Sequence, residues 1–252
     1  MFPIRDDNPT FHTSFATFAI IATNVAVWIF VQRLGTNPYL VESVCRLGVI
    51  PKEILGMVRP GTRVPIGPGV IYVLDGNPNW ITVITSMFVH VGWFHLIGNI
   101  WFLAVFGDNV EDAMGSIRFI FFYLLCGIAA AAAQMMSNSS SLVPMVGASG
   151  AIGGVMGAYC ILFPRAPVHM IVFFGFFLTR VVVPAFFMLG YWFLLQLLAG
   201  LLEAGSGGVA FWAHIGGFVA GVVLVKIFCN PQRVANCRKR RGRTHRIIHR
   251  YC

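Results

Sequence analysis

Apolar residues in this chain fall in long blocks rather than in the short alternations of a soluble fold. A helix that crosses a bilayer needs about 20 mostly apolar residues, within a range of about 17–25. Six stretches meet or approach that requirement: 14–31, 93–106, 119–136, 149–163, 182–202 and 209–228. Polar or basic pairs close some of them, such as Gln32-Arg33 after the first and Pro164-Arg165 after the fourth. The expected fold is all-α, a polytopic membrane protein whose six-transmembrane-helix bundle occupies residues 1–229, followed by a tail at 230–252. The first stretch lacks a clear small-residue cleavage site and has a longer apolar core than a signal peptide, so it is expected to remain as a span.

Two segments break this pattern. Residues 34–92 are rich in Pro and Gly with apolar patches such as 70–74, and read as an interfacial, partly embedded exterior loop. Residues 168–181, with Phe173, Phe174, Phe176 and Phe177, read as a re-entrant or interfacial piece, or as the start of the fifth span.

Composition supports lipid as the surroundings. Hydrophobic residues make up 57% and charged residues 11%, less than half of the roughly 25% charged content of a soluble domain. Mean hydropathy is +0.77. The net charge of +9 is concentrated at one end: residues 1–225 hold nine basic and nine acidic residues, and the excess lies in Lys226, Arg233, Arg238, Lys239, Arg240, Arg241, Arg243, Arg246 and Arg250. A basic tail directly after a span reads as cytoplasmic, and six spans then put Met1 on the same side. Arg118, Arg165 and Arg180 fall in cytoplasmic turns, whereas Arg46, Lys52, Arg59 and Arg63 of the exterior loop run against the rule with a weaker cluster. The tail is expected to touch anionic lipid headgroups, at about 1 kcal/mol per basic residue. No aromatic interleaving supports a nucleic-acid partner. The six cysteines show neither a CxxC pair nor metal-ligand spacing, so no disulfide framework is expected.

Polar groups inside spans are costly and mark function by default. His95 and Asn99 are four residues apart and share a helix face, with His90 five residues before His95. Ser149 lies in Gly147-Ala148-Ser149-Gly150, at the start of an apolar stretch, where unpaired backbone N–H groups could receive an oxyanion. His214 precedes Gly217 and Gly221, and Gly153 and Gly157 follow Ser149; such small residues let helices approach closely. Each cluster alone also fits ordinary helix packing or capping.

Taken in order, the strings TSMFVHVGWFHLIGNIWFLAVFGDNVEDAMG at 85–115, GASGAIGGVMGAY at 147–159 and AHIGGFVAG at 213–221 resemble the rhomboid family of intramembrane serine proteases. The resemblance covers roughly residues 77–228. It implies Ser149 as nucleophile, His214 as general base, and His95 and Asn99 in the oxyanion hole with the Ser149 N–H; His90 matches a supporting histidine. It implies single-span membrane proteins as substrates, with small residues before the cut, and the fifth span, with Phe186, Phe187, Trp192 and Phe193, as the lateral access side. A bacterial inner membrane is the location expected for this compact six-span form.

An imidazole is suited to take a serine proton near neutral pH. No Asp or Glu lies within ten residues of His214, which points to a dyad. Two positions depart from common family patterns. Ile81-Thr82 stands where a Trp-Arg pair is frequent, with Trp80 one residue early. Gly153 stands where some bacterial members carry a tyrosine that stacks on the histidine, so His214 must be held by other groups. No cofactor or metal is expected: no histidine precedes a glutamate, which removes HExxH. Val105 before Gly107-Asp108 removes the aspartyl-protease motif GxGD. The alternative is an inactive rhomboid-like protein that binds transmembrane helices, although such relatives usually lack the serine or the histidine.

Overall fold

The computed structural model describes residues 2–67, 70–174, 177–202 and 209–235. The chain runs β1 (Phe2–Asp6), α1 (Phe15–Ala26), α2 (Tyr39–Leu47), α3 (Pro51–Ile54), β2 (Thr62–Gly67), β3 (Val70–Leu74), α4 (Thr82–Thr85), α5 (Trp93–Met114), α6 (Ser116–Ser137), α7 (Ser149–Leu162), β4 (Pro167–Phe174), β5 (Phe177–Pro184), α8 (Ala185–Leu202) and α9 (Phe211–Phe228). A π-helical turn, Val27–Val31, prolongs α1.

The helices fall on the six apolar stretches. Among the described residues α6, α8 and α9 are each long and apolar enough to cross a membrane, and the pair Thr82–Phe88 and α5, bent by 92°, meets the same test taken together, as a broken span or a re-entrant loop. α1 with its extension, and α7, are shorter apolar helices. The arrangement is compatible with six spans. α5 runs through the charged segment to Met114, past the expected end at 106, and Gly115 at φ +86° turns the chain into α6.

α7 is the central helix. Every residue from Gly150 to Tyr159 is buried, as expected of a helix apolar on all sides. It has 14 residues, about 21 Å at 1.5 Å per residue, shorter than a hydrocarbon core of about 30 Å. Its first residue therefore starts below one membrane surface if its last lies at the other. α9 packs along α7 backbone to backbone: a Cβ added at Gly217 would overlap the Gly150 carbonyl oxygen, and one at Gly221 the Gly154 carbonyl oxygen.

Segment 168–181 forms neither a span nor a re-entrant helix. It lies in the β4–β5 hairpin, and β1 pairs antiparallel with β4 to complete a three-stranded sheet. The predominantly helical architecture thus carries a small sheet beyond the C-terminal end of α7, away from Ser149. β1 also brings Asp6 against the Tyr159 hydroxyl and Asn109, where burial pushes its carboxyl up to about 7. The loop segment 34–92 contains α2, α3, the β2–β3 hairpin and α4. Tail residues 238–250, on which the lipid-contact expectation rests, lie outside the described residues.

One carboxylate ties α1 to the bundle. Glu111 is buried and accepts from the Ala16 and Thr17 N–H groups and from the Thr17 and Ser116 hydroxyls. It thus satisfies the orphan donors at the start of α1 and lies at the positive end of the helix dipole. Glu111→Ala leaves those donors unpaired, and each buried unpaired group costs about 1–3 kcal/mol. The expected loss is about 3 kcal/mol, read as a clearly lowered Tm in detergent; an unchanged Tm would remove Glu111 as the anchor of α1.

Candidate functional site

The loop segment between α1 and α5 fixes the stretch that leads into α7. Val49 and Met145 exchange two backbone hydrogen bonds of 2.9 and 2.7 Å, and the Gly147 N–H donates to the Ser86 carbonyl at 2.8 Å. Gly147 sits at φ +122°, a conformation that L side chains rarely adopt. It also makes room for a ring: a Cβ there would lie 2.6 Å from His95 Cε1, 2.7 Å from His95 Nε2 and 3.6 Å from Ser149 Oγ. Glycine at 147 thus lets His95 approach the serine.

Ser149 begins α7, and its N-cap, Ala148, has no side chain able to accept from the first N–H groups. Those donors remain directed out of the helix start. α9 presents His214 on the facing side, and Gln134 at the end of α6 accepts from the Ala213 N–H at 3.2 Å. His214 Nε2 lies 2.8 Å from Ser149 Oγ. Two of the expected site residues, distant in sequence, therefore meet in hydrogen-bonding geometry.

The other ring nitrogen has a partner that the sequence reading missed. His214 Nδ1 lies 2.7 Å from Gln196 Oε1 on α8. The Trp192 ring, one turn earlier, stands 5.9 Å from the imidazole centroid at 39°. These groups hold His214 where Gly153 offers no ring. A signal existed: Gln196 is a lone amide amid apolar residues of a span, a costly placement. It is neutral and sits on another helix, so the absence of acids near His214 in sequence does not point to it.

Of the remaining expected residues, His95 reaches the site, and Asn99 and His90 are each in contact with His95. His95 lines a cavity of about 200 Å3 together with Val91, Gln134, Met145, Val146 and Trp212. A smaller space of about 30 Å3 adjoins Ser149, lined also by Ser86, Gly147 and Ala213. That is room for a water, which needs about 10–15 Å3. Asn99 is buried, with its amide donating to the His95 carbonyl at 2.7 Å. His90 backs His95, their rings 5.1 Å apart and edge to face. Its backbone is clasped by the Gln32 amide, which accepts from the His90 N–H at 2.9 Å and donates to the His90 carbonyl at 2.7 Å.

Chemically, the site joins a hydroxyl, an imidazole within proton-transfer distance, a helix start with unpaired donors and an open cavity. A family profile described as "Rhomboid domain" matches residues 77–231, more than half of the chain. Similar curated proteins include the Arabidopsis thaliana "Rhomboid-like protein 11, chloroplastic", 29% identical over 62% of this chain and 55% of its own length. "RHOMBOID-like protein 6, mitochondrial", also from Arabidopsis thaliana, is 30% identical over 58% of this chain and 50% of its own length. The Bacillus subtilis "Rhomboid protease GluP" is 36% identical over 34% of this chain and 16% of its own length. The chain spans about half the length of the two plant proteins.

Proposed function

Because the chain belongs to the rhomboid family, we propose that it is an intramembrane serine endopeptidase acting through Ser149 and His214. The observation that carries this reading is the 2.8 Å contact between Ser149 Oγ and His214 Nε2. In the proposed reaction Oγ attacks the scissile carbonyl carbon as its proton passes to Nε2. The tetrahedral oxyanion is received by the Ser149 N–H, with His95 and Asn99 assisting. The imidazolium then protonates the leaving amine, and water hydrolyses the acyl-enzyme with His214 again as base. The space beside Ser149 supplies a place for that water.

The bond cut is proposed to lie within or near a substrate's transmembrane segment, because α7 is shorter than a hydrocarbon core and places Ser149 below one surface if its other end lies at the opposite one. A scissile carbonyl inside an intact helix is already hydrogen-bonded, so substrates are single-span proteins that can unwind locally. Family resemblance suggests small residues before the cut. α8 is the proposed lateral side, since only Ala185, Met188, Leu189 and Gly200 along it are buried. The protein is a multi-pass integral membrane protein; a cytoplasmic tail contacting anionic lipid belongs to the proposal. Two relatives carry organellar names, so the bacterial inner membrane expected from the compact form is not supported.

The test uses purified protein in liposomes with a single-span substrate. Cleavage should appear, stop after a serine-directed fluorophosphonate whose adduct maps to Ser149, and continue in EDTA. Failure to cleave substrates across several liposome compositions, or an adduct at another residue accompanying inhibition, would sink the assignment.

A further inference from the structure

We propose that Gln196 is a positioning residue for His214: its side-chain carbonyl holds the imidazole in the tautomer able to accept the Ser149 proton. The inference rests on the protease reading above and adds a third member, from α8, to the Ser149–His214 pair.

The argument is one of hydrogen-bond accounting. To act as a base, His214 must present a lone pair at Nε2, so its proton must reside on Nδ1. That proton points at Gln196 Oε1, 2.7 Å away, while Nε2 faces Ser149 Oγ at 2.8 Å. The opposite tautomer would aim the Nδ1 lone pair at a carbonyl oxygen and leave Nε2–H donating to the serine, which could then lose no proton to it. When Ser149 attacks, its O–H bond breaks and a new Nε2–H bond forms. The imidazolium keeps Nδ1–H, whose positive charge the Gln196 carbonyl dipole stabilises. The electron pair from the O–H bond forms the new C–O bond, and no other reactant is needed.

A neutral acceptor suits this depth. A carboxylate would supply the same orientation with a stronger field, but an ionised side chain carries a desolvation cost within the bilayer. An amide gives direction without that charge. Its limitation is that it can turn over and offer N–H instead of C=O, which a carboxylate cannot. Trp192 is four residues earlier, on the same face of α8, and its ring stands beside the imidazole. The ring and the amide together give α8 two contacts with the base.

The test is steady-state cleavage of a single-span substrate in liposomes, as a function of pH, by the wild type, Gln196→Leu and Gln196→Glu. Gln196→Leu should lower kcat about 10–100-fold, the scale of one hydrogen bond to a group that becomes charged. KM should barely move, because Gln196 orients the base and does not hold substrate. Gln196→Glu should recover most of kcat and shift the acid limb of the kcat/KM profile to higher pH, since a carboxylate beside the ring favours imidazolium. Wild-type kcat in the leucine variant would overturn the proposal. So would equal losses in both variants at unchanged Tm, which would mark a packing role. Should the leucine variant fail to fold, the glutamate variant decides: an acid limb at the wild-type pH overturns it. Ser149→Ala run in parallel separates the two readings. Cleavage surviving there defeats the protease assignment, whereas its loss there beside an unaffected Gln196→Leu defeats only the role of Gln196.

Discussion

Replacing Ser149 by Ala, or His214 by Ala, is expected to abolish substrate cleavage while leaving the Tm and helical content of the protein unchanged. In the proposed reaction the two side chains serve one proton transfer, so removing either removes the step; in serine proteases such a loss reaches about 10⁶-fold in kcat. The same logic predicts that the double variant is no slower than either single variant. Independent contributions would instead multiply. Cleavage assays on all three proteins, with fluorophosphonate labelling of the His214 variant, check the outcome. Product release by Ser149→Ala at more than a trace of the wild-type rate would remove Ser149 as the nucleophile. Both residues are only half-buried and lie at helix starts, so neither truncation opens a large internal void.

The second large effect concerns the seam beneath the site. Gly217→Ala puts a Cβ more than an ångström inside ordinary contact with the Gly150 carbonyl, where C···O separations are about 3.3–3.6 Å. α7 and α9 must part or slide, and backbone on both sides leaves no flexible side chain to give way. Overpacking of this kind costs about 1–3 kcal/mol. Activity should suffer more than stability: Gly150 follows the serine directly and Gly217 lies one turn beyond His214, so the displacement bears on the Ser149–His214 distance. A misplacement of about 1 Å can cost about 10²-fold in rate. The expectation is a fall of that size or greater with a modest drop in Tm. Gly190→Ala on α8, where an added Cβ meets nothing within 4 Å, should change neither. Full activity in Gly217→Ala would show that the seam does not set the reacting distance.

Much of this architecture is readable from hydropathy because lipid leaves the backbone few options: each N–H and C=O must be satisfied inside its own segment or by a partner strand. That constraint is why the apolar stretches and the helices coincide. It also explains why 168–181 could be read in more than one way. A run of Val, Phe and Ile is equally apolar as helix or strand; here β4 and β5 pair with each other, and β1, more than 160 residues earlier in the chain, pairs with the outer edge of β4. Ser149 and His214 stand out because glycines at fixed spacings accompany both. Gln196, the Gln32 clasp on His90 and the Gly147–His95 fit carry no such local pattern. Each is defined by a partner on a different element, so its role shows only in the folded chain, even where, as at Gln196, a lone amide in an apolar stretch marks the position.

The sparse burial of α8 has a practical consequence. The proposed nucleophile is mounted on α7, buried from Gly150 to Tyr159, whereas one of the groups bearing on the imidazole hangs from a helix with only four buried residues. Regions with few buried contacts open at lower free energy than the whole fold. A sample warmed gently, or moved into a harsher detergent, should therefore fall silent in a turnover assay while its circular dichroism still reports an intact bundle. An enzyme preparation judged sound by spectroscopy alone could already be disarmed.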